Sequence, residues 1–295
     1  MSTVSVIIPT YNNVDMVVNA IDSVLAQTYK EFEIIVVDDG STDNTKEVVQ
    51  SYGDSVKYVY QENSHISAAR NRGFSVSKGK YIAQLDADDL WLPEKLEKQI
   101  AMFEKYPKAG MVYCDSYICD YGEEHRRDQI FSKLYVPQAN GHVFEYFFKT
   151  NPMCTSSALI SRDIWEQLGG LDTNMRGGQD TEFFMRISYY SPVYACHQPL
   201  MIYRRHGKNT SSTISYANVY NALKKNIKQR HSLVKNLKKA NQKLPLYVVV
   251  FSKMPPLIQY GIVLSWRLKY GTSQTHTLKL INRYGRKLVG AWCGK

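Results

Sequence analysis

The chain has 295 residues, 44% of them hydrophobic and 22% charged, enough for one large α/β domain of about 200 residues with an appendage. Its 17 glycines, ten prolines and 12% aromatics exclude collagen-like and low-complexity classes, and five scattered cysteines, 114, 119, 154, 196 and 293, form neither a disulfide framework nor a zinc pattern. Up to Glu182 the chain carries 17 basic against 27 acidic residues, a balance of −10, whereas residues 183–295 carry 20 basic residues and no acid.

An asymmetry this complete predicts two jobs, an acidic catalytic domain and a basic surface-binding segment. The division expected is 1–211 for the first and 212–295 for the second. A strand begins almost at the first residue, without a cationic, apolar or small-residue leader pattern, so the active part is expected to face the cytoplasm.

The first half alternates two periodicities. Val4–Pro9 reads as a buried β-branched strand, and Val14–Gln27 places Val14, Val17, Val18, Ile21, Val24 and Leu25 at helical spacing. Glu33–Val37 is a second strand that runs into Asp38, Asp39, Gly40 and Ser41. Thr42–Ser51 reads as a helix capped by Thr42 or Asp43. Val56–Gln61 is a third strand, Ser67–Val76 a helix and Tyr81–Leu85 a fourth strand, ending in Asp86, Ala87, Asp88 and Asp89. Pro93 opens a helix to about Lys105. Strands separated by helices imply a parallel sheet with right-handed crossovers.

The middle is less regular. Met111–Ile118 is predicted as a strand, 120–142 as a polar stretch and Cys154–Ile160 as a strand. Helices are expected over Arg162–Leu168 and Asp180–Ser188, then a short strand over Val193–Tyr203 broken by Pro199. Val219–Lys239 reads as a Lys-rich helix. Residues 246–266 are apolar but interrupted by Lys253 and the pair Pro255-Pro256, which favours helices lying in a membrane interface over a transmembrane span; a plain helical cap packed on the catalytic domain is the alternative.

Three polar clusters fall at carboxyl ends of predicted strands: Thr10-Tyr11-Asn12, Asp38 to Ser41 and Asp86 to Asp89. Ligands of open α/β sheets bind there. Asp86, Asp88 and Asp89 repel one another and call for a cation or raised pKa values. Hard carboxylate oxygens suit Mg²⁺ or Mn²⁺, which in turn would bridge a diphosphate. A helix cap with a solvated turn explains the same spacing. Carboxylates at 38 and 39 can accept from a nucleobase imide or ribose hydroxyls, or form a plain turn. Arg70 and Arg72 can each meet a phosphate. Asp180 follows a glycine pair and reads either as a cap or as a general base. His206 reads as a phosphate or metal contact or as a surface histidine.

Ser5–Asn12 (SVIIPTYN), Ile35–Asp43 (IVVDDGSTD), Ala68–Gly73 (AARNRG), Tyr81–Leu90 (YIAQLDADDL) and Gly178–Arg186 (GQDTEFFMR) resemble, in order and spacing, family-2 glycosyltransferases with the GT-A fold. The resemblance covers residues 4–211. It implies a Rossmann-like α/β fold with a mixed, mainly parallel sheet flanked by helices, followed here by a C-terminal α-helical segment. It also implies inverting transfer from a nucleotide-activated sugar, a UDP-sugar being favoured.

On that resemblance Pro9, Thr10, Tyr11 and Asn12 line the nucleoside pocket and Asp39 reads the base, with Asp38 supporting its loop. Arg70 approaches the diphosphate, Asp86 and Ala87 lie on the donor, and Asp88 holds a divalent metal, Mn²⁺ or Mg²⁺. Asp89 and His206 join the metal set, and Asp180 is the base that deprotonates the acceptor. Two positions depart from the pattern. Gln179 stands where a glutamate is common, and His65 stands where a glycine is frequent, which predicts a changed backbone in the loop before Arg70.

The basic tail with its aromatic and aliphatic residues suits anionic lipid. The expectation is an enzyme held peripherally on the inner face of the cell membrane, extending a polyprenyl-linked glycan or cell-surface polysaccharide precursor. The same tail faces can pair subunits into a homo-oligomer. A nucleic-acid partner would explain the tail but not the acidic clusters, and no zinc finger, helix-turn-helix or aromatic RNA platform is present. A nucleotidyltransferase would want a Gly-rich basic loop where Thr10 to Asn13 stand, and a non-catalytic sugar-nucleotide scaffold would have no need of both Asp88 and Asp180.

Overall fold

The computed structural model describes residues 3–207 except 136, together with 209, 218, 219, 221–223, 225 and 226. The first strand, β1 (Val4–Thr10), is buried along its whole length. It lies between β2 (Phe32–Asp38) and β4 (Tyr81–Gln84), parallel to both, and β3 (Lys57–Tyr60) extends β2 in the same sense. A strand covered on both faces carries no polar alternation, which is why VSVIIPT reads as an unbroken apolar run.

The face lined by Val4, Val6 and Ile8 is covered by α1 (Val14–Leu25), whose Val17, Ala20, Ile21 and Val24 are buried. The short helix α2 (Thr45–Gln50) lies on the same side through Val49, and α4 (Lys95–Lys105) through Leu96, Ile100 and Phe103. Ile7 and Ile35 point to the other face, toward α3 (His65–Ser75) and its buried Ala69. Gly73 on α3 sits where a Cβ would come within 2.5 Å of Ile7, so glycine sets how closely that helix packs.

The second half of the sheet is mixed. β5 (Leu90–Trp91) pairs antiparallel with β8 (Val193–Arg205), β6 (Met111–Asp120) runs parallel to β8, and β7 (Ala158–Ser161) is antiparallel to both β4 and β6. The eight strands lie in the order β3-β2-β1-β4-β7-β6-β8-β5. Helices α6 (Phe144–Lys149), α7 (Arg162–Leu168) and α8 (Gln179–Tyr190) fill the α3 face with Phe147, Phe148, Trp165, Phe183 and Phe184. A four-residue helix, α5 (Phe131–Leu134), lies against β6.

Several expectations are corrected. β8 is not broken by Pro199: it continues through a register shift against β6 around Asp115, and a bulge accommodates a residue without an N–H. The helix expected from Pro93 starts at Lys95, because Leu90 and Trp91 pair with β8 and Leu92 N donates to Leu200 O at 2.9 Å. The helix expected from Thr42 starts at Thr45, since Asp43 accepts from Thr45 N at 3.1 Å and Thr45 Oγ1 at 2.5 Å and holds a turn there. The strand expected over Cys154–Ile160 opens instead with a 3₁₀ turn at Thr155–Ser157.

His65 has φ 69°, the left-handed conformation that glycine adopts without strain. Of the tail, Val219 and Leu223 are helical and fully buried against the α3-face core. Residues 218, 221, 222, 225 and 226 are helical too, whereas the Lys-rich helix beyond 226 and the apolar stretch 246–266 lie outside the described residues.

Candidate active site

The carboxyl ends of β1, β2 and β4 adjoin, and three loops interlock there. Asp39 N donates to Thr10 O at 2.9 Å. Asn12, at φ 49°, accepts from Thr42 N at 2.7 Å, and its own N–H donates to Ser41 Oγ at 2.9 Å. Gly40 has φ 88°, and a Cβ there would meet Asn63 N at 2.9 Å, so this turn requires glycine.

Asp38 is buried and accepts from Ser41 N at 2.8 Å and Tyr58 Oη at 2.7 Å. Asp39, also buried, accepts through one oxygen from Gln61 Nε2 at 2.6 Å and Ser64 N at 2.9 Å. Pro9 is buried in β1 beside Val37. Tyr11 stands out at 52% exposure, while Thr10 Oγ1 is buried with no partner among the described residues.

Beyond β4, Asp86, Asp88 and Asp89 bring one carboxylate oxygen each within 4.8 Å of one another. Arg70 on α3 is 3% exposed and pairs through Nη2 with Asp86, leaving Nε and Nη1 buried without partners among the described residues. Arg72, by contrast, is exposed. Burial raises the pKa of Asp86 above the usual carboxylate value. Arg70 pulls it down, and Asp88 and, more weakly, Asp180 push it up. Asp89 is raised well above that value, first by burial and then by Asp88 and Asp86. Both its oxygens are engaged, one by Ser156 Oγ at 2.6 Å and the other by Arg204 N at 3.3 Å. Ala87 is buried.

His206 arrives just past the end of β8 with Nε2 2.8 Å from Asp88 Oδ2, and Asn209 Nδ2 reaches the same oxygen at 3.3 Å. Arg204, 1% exposed, donates from Nε to Asp88 O at 2.5 Å and from Nη2 to Ala87 O at 3.3 Å. The aspartate loop is therefore held from β8 by backbone contacts as well as by side chains.

Asp180 is the second residue of α8, after Gly178 at φ 71°. Its Oδ2 accepts from Thr155 Oγ1 at 2.5 Å and its Oδ1 from Thr181 N at 2.7 Å. The neighbouring Ser156, which donates to Asp89, accepts from Asp86 N at 3.0 Å. Gln179 is buried, with Oε1 unpartnered among the described residues.

The fold thus groups the expected residues in two adjoining halves: residues 9–12, 38 and 39 at β1 and β2, and Arg70, Asp86, Asp88, Asp89 and His206 beyond β4. Thr155, Ser156, Arg204 and Asn209 were not expected. Their partners lie 25, 67, 116 and 121 positions away in the chain, and no local spacing marks such contacts. Chemically, the arrangement offers buried acceptors for a nucleobase, a carboxylate cluster suited to a hard cation, guanidinium N–H groups for an anion and a separately held carboxylate.

Residues 5–169 match the family model described as "Glycosyl transferase family 2". An uncharacterized glycosyltransferase of Rickettsia typhi is 34% identical over 273 residues, 89% of this chain and 84% of that protein. Four further Rickettsia relatives are covered over 29% to 66% of their own length. Among solved structures, Staphylococcus aureus TarS 1–349 in complex with UDP-GlcNAc superposes with a TM-score of 0.62 at 16% identity, over 90% of this chain and 79% of that one. The mannosyltransferase PcManGT of Pyrobaculum calidifontis, in complex with GDP-Man and Mn²⁺, gives 0.55 at 18% identity, over 97% and 80%.

Proposed function

Because the chain belongs to glycosyl transferase family 2, we propose that it moves a sugar from a nucleoside-diphosphate sugar to an acceptor hydroxyl with inversion at the anomeric carbon. The observation that carries this reading is the convergence of Asp86, Asp88 and Asp89 within 4.8 Å, with Asp180 anchored to the same turn that holds Asp89. The UDP-GlcNAc of TarS and the GDP-Man of PcManGT support the donor class, and a UDP-sugar is the favoured donor.

In this reading Asp39, the Thr10–Asn12 loop and Asp38 behind them form the nucleoside pocket. Nε and Nη1 of Arg70, without partners among the described residues, would donate to the diphosphate. Asp180 takes the proton of the acceptor hydroxyl as its oxygen bonds to the anomeric carbon. The bond to the diphosphate oxygen breaks, and its electron pair leaves with the nucleoside diphosphate.

The carboxylate set fits a hard divalent cation, Mn²⁺ or Mg²⁺. Asp88 would hold it, with His206 beside it and Asp89, both of whose oxygens already accept a hydrogen bond, joining through a remaining lone pair. When bound, such an ion offsets the charge that builds on the departing diphosphate.

Residues 1–211 are proposed as the catalytic unit and 212–295 as the segment that meets an anionic membrane surface from the cytoplasmic side. The acceptor would then be a lipid-linked glycan or cell-surface polysaccharide precursor. Among the described residues no helix is long and apolar enough to cross a membrane.

The test is calorimetric titration with UDP, GDP and CDP, each with and without Mn²⁺, on the wild type and Asp88→Ala. Mn²⁺-dependent binding of one nucleotide, lost in the variant, is expected. Binding that ignores both the ion and the substitution would remove the metal from the reading.

A further inference from the structure

We propose that Thr155 is a positioning residue for the base, and that the turn Thr155–Ser157 sets the spacing between the base and the donor carboxylates. This rests on the reading of Asp180 as the base. Two adjacent hydroxyl residues of one 3₁₀ turn face the two sides of the site. Thr155 Oγ1 donates to Asp180 Oδ2 at 2.5 Å. Ser156 Oγ donates to Asp89 Oδ2 at 2.6 Å and accepts from Asp86 N at 3.0 Å.

The turn itself is anchored from behind. Trp91 Nε1 donates to Ser156 O at 2.9 Å, and Gln99 Nε2 to Ser157 O at 2.8 Å. Ser157 Oγ donates to Cys154 O at 2.6 Å. Ser156 and Ser157 are fully buried, so the turn is a fixed point of the core and not a loop that follows its ligands.

Asp180 sits on the first turn of α8, with Thr181 N holding only Oδ1. Its carboxylate can rotate about χ1 and χ2 unless something fixes the second oxygen. The Thr155 hydroxyl does so while leaving that oxygen a further lone pair for an acceptor proton. A carboxylate misplaced by about 1 Å loses on the order of a hundredfold in rate.

The experiment compares full-length wild type, Thr155→Val, Thr155→Ser and Asp180→Asn. Turnover is read as nucleoside diphosphate released from UDP-GlcNAc or GDP-mannose with Mn²⁺, water serving as acceptor, and the position of residue 180 is read in crystal structures. Thr155→Val is expected to lower kcat about 10- to 100-fold with the donor KM unchanged, and to swing the Asp180 carboxylate out of place. Thr155→Ser, which keeps the hydroxyl, is expected to restore both.

An Asp180 carboxylate that stays put in Thr155→Val overturns the proposal, even where neither sugar nucleotide is turned over. So does a serine variant as slow as the valine one, or a loss seen equally in donor KM. Where the valine variant does not fold, Thr155→Ala is read in its place. Wild-type turnover by Asp180→Asn would defeat the base reading itself. An inactive Asp180→Asn beside an unaltered Thr155→Val would defeat only the role of Thr155.

Discussion

Asn71 and Leu171 stand 100 positions apart and close a reciprocal pair of hydrogen bonds: Asn71 Nδ2 donates to Leu171 O at 2.9 Å, and Leu171 N donates to Asn71 Oδ1 at 3.0 Å. Asn71 follows Arg70 on α3, and Leu171 ends the turn that leads from α7 toward α8. The pair ties the helix carrying Arg70 to the approach of the helix carrying Asp180. Gly170, at φ 72°, lies between them, where a Cβ would come within 2.5 Å of Asn71 Oδ1.

Arg186 closes the same junction from α8. It pairs with Glu182 at 2.9 and 2.7 Å and donates to Leu168 O at 2.5 Å and Gly170 O at 2.9 Å, all in the interior. Arg186→Met leaves Glu182 charged, buried and alone, and two carbonyls unpaired. A loss of about 3–5 kcal/mol is expected, read in urea unfolding. A loss under about 1 kcal/mol would show that the junction is not held by this pair.

Asp180→Asn is expected to bind nucleoside diphosphate with Mn²⁺ as the wild type does, while transfer falls by about 10²–10⁴-fold. Calorimetry and turnover on the same preparation separate the two effects. Transfer near the wild-type rate would remove Asp180 from the base role.

Lys95 gives a pH prediction remote from the site. It is fully buried on α4, donates to Gln99 Oε1 at 2.7 Å and lies over the Trp91 ring at 3.8 Å. Burial lowers its pKa from 10.5 to about 8. Below pH 8 both folded and unfolded chains hold the proton, and the full burial cost is present. Between about 8 and 10.5 the folded chain has released it and the unfolded chain has not, so stability rises with pH. Relative to Lys95→Met, the wild type is expected to gain up to about 3 kcal/mol across that window. Parallel unfolding curves at pH 7 and 10 would refute this.

The full-length protein is expected to float with anionic vesicles at low salt and to release as salt rises, since each well-placed Lys or Arg adds about 1 kcal/mol at such a surface. Protein that never floats, even at low salt, rules out the membrane role proposed for 212–295.

Local pattern alone carried the first half of the sheet and the carboxyl-end clusters. β1, β2 and β4 are buried strands between amphipathic helices, and apolar period and turn chemistry are local properties that survive in the sequence. The same locality placed Asp38, Asp39, Asp86, Asp88 and Asp180 at element ends. It failed where partners are distant. Leu90 and Trp91 form a strand only because β8 arrives beside them, Pro199 is tolerated only through the bulge against β6, and α6 buries Phe144, Phe147 and Phe148 in a core assembled from elsewhere.

Which carboxylates stand at the sheet's carboxyl edge, and how charge divides along the chain, follow from residue order alone. What holds those carboxylates follows from the folded contacts: Asp89 turns inward to Ser156, Asp88 meets His206 and Asn209, and Asp180 leans on Thr155. A hydrogen bond spanning 25 to 121 positions leaves no period in the chain. It exists only once buried polar atoms, cut off from water, must find their partners within the fold.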